Sequence, residues 1–104
     1  MPDRRIPDDT DSRRALRHPV SFSAHLRDRG ATKFTVKLID LSLTGFRAES
    51  DFGLHEGVLV WLTLPGMAAL EATVVWRDGF LYGCLLSTPL HPAVFDHIVT
   101  LSER

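Results

Sequence analysis

From Val20 to Leu86 the chain alternates apolar and polar residues in short runs broken by Gly, Pro and Asp, and a longer period appears only near the C-terminus. Val20, Phe22, Ala24 and Leu26 alternate with Ser21, Ser23, His25 and Arg27, the pattern of a strand with one buried face. Asp28-Arg29-Gly30 supplies turn chemistry, and Phe34, Val36 and Leu38 continue the alternation as a second strand. The stretch DLSLTG (40–45) is polar and turn-forming; Phe46, Ala48 and Ser50 then make a short third strand. Gly53 and Gly57 bracket a connection to an apolar fourth strand at 58–64. Pro65-Gly66 ends that run and predicts a turn with positive φ at the glycine. Leu70, Ala72, Val74 and Trp76 alternate in a fifth strand, and Asp78-Gly79 signals a hairpin. Residues 81–86 form the sixth, with Gly83 a weak point or a site of close approach. Leu90, Val94, Phe95, Ile98 and Leu101 instead share one face of a helix near 91–102, with Pro92 in its first turn.

Six short strands joined by tight turns and followed by one helix predict an all-β domain, an antiparallel barrel or sandwich. The helix is expected to cover an open end or edge. Residues 1–12 lack apolar periodicity and carry Pro2, Pro7 and four Asp, so they read as a flexible tail ahead of a single domain over 13–104. No run approaches the roughly 20 apolar residues of a membrane span. The polar N-terminus reads as neither a signal peptide nor an anchor. With the lone Cys84, which has no internal disulfide partner, this leads to an expectation of a cytoplasmic protein.

Charge narrows the function classes. Twelve basic and 13 acidic residues leave a net charge of −1, without the basic excess by which a DNA or RNA binder neutralises phosphates. Ten of the twelve basic residues are Arg, whose planar fork contacts phosphate and guanine edges bidentately. The five His form no cluster with Cys at zinc-site spacing and read as surface or cap residues. Ser42 lies in no nucleophile elbow, and the chain has no P-loop.

Two segments stand out. Arg13-Arg14-Ala15-Leu16-Arg17 puts two arginines four positions apart just before the first strand, and Asp40-Leu41-Ser42-Leu43-Thr44-Gly45 joins the second strand to the third. Alone, the first reads as a solvated charge run and the second as ordinary turn chemistry. Together, in this order and at these strand boundaries, they resemble the RxxxR and (D/N)xSxxG signatures of the PilZ domain family. The resemblance runs from about Arg13 to Leu101. It departs from the family at Leu86, where the last strand usually ends in an aromatic residue.

The resemblance implies a six-stranded antiparallel β-barrel with a C-terminal helix, no catalytic activity, no cofactor, and cyclic di-GMP as the ligand. By it, Arg13 and Arg17 grip the phosphates and guanines, and Arg14 adds a phosphate contact or faces solvent. An ionised Asp40 accepts from the N1–H and N2–H₂ of guanine, with Ser42 beside it. Gly45 permits a tight turn and close approach of the base. Trp61 and Trp76 read as core or rim residues. Trp76 is the better secondary candidate, for stacking, together with Gly83. A mobile arginine-bearing tail would fold over the ligand and alter a surface that a downstream protein reads. The competing expectation is a PilZ-fold adaptor that does not respond to nucleotide. The chain alone leaves open one ligand or two, and monomer or homodimer.

Overall fold

A computed structural model describes residues 17–30 and 32–103. The tail assigned to 1–12 lies outside the described residues. The strands run β1 His18–Asp28, β2 Lys33–Leu41, β3 Gly45–Glu49, β4 Leu59–Thr63, β5 Leu70–Asp78 and β6 Leu81–Leu86, followed by helix α1, Pro92–Ser102. Every neighbouring pair is antiparallel, and the order β1-β2-β3-β6-β5-β4 closes on itself as a barrel. Of the two arrangements that alternation permits, closure selects the barrel, and closure leaves fewer exposed strand edges.

The inward phase of each strand fills the barrel. Leu26, Leu38, Val60, Leu62, Ala72 and Val74 are fully buried, each large aliphatic side chain stabilising the fold by roughly 1.5–3 kcal/mol relative to exposure. The apolar run 58–64 sends Val60, Leu62 and Leu64 inward, while Trp61 is half-buried on the other face with the Arg27 guanidinium 4.6 Å from its ring centre. Gly66 has φ 72°, as Pro65-Gly66 predicts. The β5–β6 turn is displaced by one residue from the expected centre. Asp78 pairs with Leu81, so the two loop residues are Gly79, at φ 64°, and Phe80. A positive φ at the first loop residue suits a II′ hairpin, a position that favours glycine.

At one end Tyr82 ties down the β3–β4 connection. Its hydroxyl donates to the Phe52 carbonyl (2.6 Å) and accepts from the Leu54 amide (3.1 Å). At the other, α1 begins with His91 as N-cap, its Nδ1 accepting from Ala93 N at 3.0 Å. The helix buries Phe95 and Ile98. β4 pairs with β1 only over His25–Asp28, and α1 packs beside the earlier part of β1, where Ser21 N donates to Ser102 Oγ at 2.8 Å. Among the described residues no helix is long and apolar enough to cross a membrane.

Candidate functional site

Alternation alone puts Asp40 in phase with the buried Val36 and Leu38. A bulge in β2 breaks that phase. The register slips between Leu38 and Asp40, and Asp40 comes opposite Arg47, whose neighbours Phe46 and Ala48 fill the core. The carboxylate therefore meets Arg47. Arg47 Nε donates to Oδ2 at 2.6 Å and Nη2 forms an ion pair with the same oxygen. The bond to Asp40 raises the Arg47 pKa above its ordinary value. Oδ1 faces Arg17, whose Nη1 lies 3.5 Å away. The Asp40 side chain is 5% exposed, against 51% for Arg17 and 35% for Arg47, so a buried anion is matched by two cations reaching in from solvent.

The pairing continues across the sheet. Pro19 pairs with Asp40, Asp40 with Arg47, Arg47 with Gly83, and Gly83 with Trp76. Three register slips adjoin this row: between Pro19 and Phe22, Leu38 and Asp40, and Val74 and Trp76. Bulges twist and re-aim strands and are over-represented beside functional sites. Gly83 has a packing reason: a Cβ there would collide with the Trp76 indole, which lies directly on the glycine. One row thus presents a carboxylate, a guanidinium and a half-buried indole.

The 42–45 turn is organised by its serine. Ser42 N donates to the Gly45 carbonyl (2.9 Å), and Ser42 Oγ accepts from the amides of Thr44 (3.3 Å) and Gly45 (3.2 Å). Gly45 closes this turn without a positive φ. A Cβ there would collide with the Cys84 carbonyl oxygen, so the glycine lets β3 start against β6.

Of the residues singled out by sequence, Arg17, Asp40, Ser42 and Gly45 fall together at this end of β1–β3, and Trp76 and Gly83 lie in the row extending from it. Arg13 and Arg14 lie outside the described residues. Sequence reasoning missed Arg47. The available signal was its outward phase between Phe46 and Ala48, two positions after Gly45. Among the described residues no group of three or more His, Cys, Asp or Glu is placed to hold a metal ion.

The barrel thus gathers Arg17 and Arg47 on its outer wall around the buried Asp40 carboxylate. The PilZ domain model matches residues 11–104, and the chain belongs to the PilZ domain family, whose members are generally cyclic di-GMP receptors and binding modules rather than catalysts. Among solved structures, the PilZ domain of CeSA from a cellulose-synthesizing bacterium is similar, with TM-score 0.64 and 16% identity over 86% of this chain and 99% of that one. At that identity the likeness shows the fold. Comparison with curated proteins returns no match.

Proposed function

We propose that this domain binds cyclic di-GMP on the outer face of the barrel and signals occupancy to a protein partner in the control of motility, exopolysaccharide or biofilm. The observation that carries the reading is the Arg17–Asp40 ion pair at 3.5 Å, because it joins two sequence motifs 23 residues apart at one point on the surface. Arg47 saturates Oδ2 of Asp40 and leaves Oδ1 to the weaker Arg17 contact. That oxygen is the acceptor for the N1–H and N2–H₂ edge of a guanine. Arg17, released from Asp40, joins Arg13 on phosphate or on guanine N7 and O6, which the guanidinium fork fits, and Arg14 adds a phosphate contact. Trp76 offers an aromatic face for stacking, worth roughly 1–3 kcal/mol per base. Ser42 and Gly45 hold the turn that positions Asp40, with their backbone close to the base.

Titration calorimetry with cyclic di-GMP tests this. Saturable binding is expected, with Arg17→Ala and Asp40→Ala each weakening it by at least about tenfold, the loss of one charge-assisted contact. No heat at tens of micromolar ligand sinks the reading. Recovering the nucleotide unaltered after incubation separates a receptor from a phosphodiesterase.

A further inference from the structure

Both ligand-facing segments are tied to α1. The turn at 42–45 is held at the helix entry, where Leu90 N donates to the Leu43 carbonyl at 2.7 Å. The start of β1 is held along the helix body. The His18 ring meets Phe95 edge-on, centroids 6.3 Å apart at 84°, and Ser21 N donates to Ser102 Oγ at 2.8 Å. The spacings agree: Phe95 to Ser102 climbs about 10.5 Å of helix, and His18 to Ser21 covers about 10 Å of strand. The helix thus runs beside the stretch of β1 that β4 leaves uncovered, and Ser102 supplies a hydrogen bond that a strand would otherwise make. Arg17 is the residue immediately before His18.

We infer that α1 is the output element of the domain, released in its C-terminal half when ligand occupies the site; the inference rests on the receptor reading above. The physical chain is short. A guanine on Asp40 Oδ1 displaces Arg17, and Arg17 moves onto the ligand. The adjoining residues of β1 shift with it, because one peptide unit separates the guanidinium-bearing residue from His18. The contacts of α1 with that segment include one edge-on ring contact and one hydrogen bond, and the fully buried Ile98 adds to what ligand contacts must outweigh for the C-terminal half to leave. The Leu43–Leu90 bond anchors the N-terminal end, and β1 stays in the barrel through its pairing with β2 and, over His25–Asp28, with β4. Release would uncover Ile98 for a partner to read.

Linkage makes this testable from either end, since two coupled events change each other's equilibrium by the same factor. In the full chain saturated with cyclic di-GMP, amides of residues 96–102 should exchange at least about fivefold faster than in the free protein. Ser102→Ala touches no ligand but removes one tie, so it should tighten cyclic di-GMP binding by about two- to fivefold, within the usual range of coupling. Unchanged or slower helix exchange on binding overturns the inference, as does a Ser102→Ala affinity equal to wild type. Those outcomes leave the receptor reading intact, whereas absence of binding to wild type overturns both.

Discussion

Cys84 shows how a single side chain responds to the barrel around it. It sits on β6, 4% exposed, and burial pushes its thiol pKa from 9.0 up to about 12. Below pH 9 the thiol is protonated whether the chain is folded or unfolded, and the group has no effect on the equilibrium. Between 9 and about 12 the unfolded chain releases the proton and the folded chain keeps it, so stability falls as pH rises across that window. The slope approaches about 1.4 kcal/mol per pH unit. Denaturant midpoints measured between about pH 8 and pH 11 should fall less steeply in Cys84→Ala than in wild type. Parallel slopes would show that the thiol titrates alike in both states.

At the scale of strands and turns, alternation revealed six strands and the helical stripe, because one face of each element is buried and the chemistry of each position follows. It could not reveal the bulges, since one extra residue leaves composition unchanged while reversing every later side chain. That is why Asp40, in phase with Leu38 by sequence, emerges opposite Arg47. Arg47 itself was hidden for a related reason: its partner is chosen by cross-strand register, which no local pattern encodes. The RxxxR and DLSLTG motifs were legible because their spacing is local, and what brings Arg17 to Asp40 is the pairing of β1 with β2. Gly83 was visible as a point of close approach, but the approaching group, the Trp76 indole, depends on the slip in β5. Gly83→Ala should therefore push the indole off its seat and cost about 1–3 kcal/mol, the usual effect of overpacking. In a Trp61→Phe background, Trp76 emission should shift to the red. An emission spectrum identical to that of the parent would mean that the indole does not rest on Gly83.

For the molecule as a whole, the barrel and the site place different demands on the same strands. Closure and the buried inner phase make the fold independent of ligand, whereas the outer row from Asp40 to Trp76 lies on strand segments bent by three bulges. A ligand that engages this row and Arg17 contacts side chains from β2, β3 and β5 and from the residue just ahead of β1, and those strands come together only in the closed barrel. It must then bind the folded chain and not the unfolded one, so its binding energy adds to stability by mass action. At a free cyclic di-GMP concentration about 100 times the dissociation constant the gain is about 2.7 kcal/mol. A domain of roughly 100 residues shifts its melting temperature by about 4–8 °C per kcal/mol, so the midpoint should rise by at least about 10 °C. The rise should grow with the logarithm of ligand concentration. GMP carries the same guanine but a single phosphate, and at equal concentration it should give a much smaller shift, because it cannot engage the arginines and Asp40 together from two linked nucleotides. A midpoint unmoved by cyclic di-GMP, or moved equally by GMP, would show that the row does not act as one site.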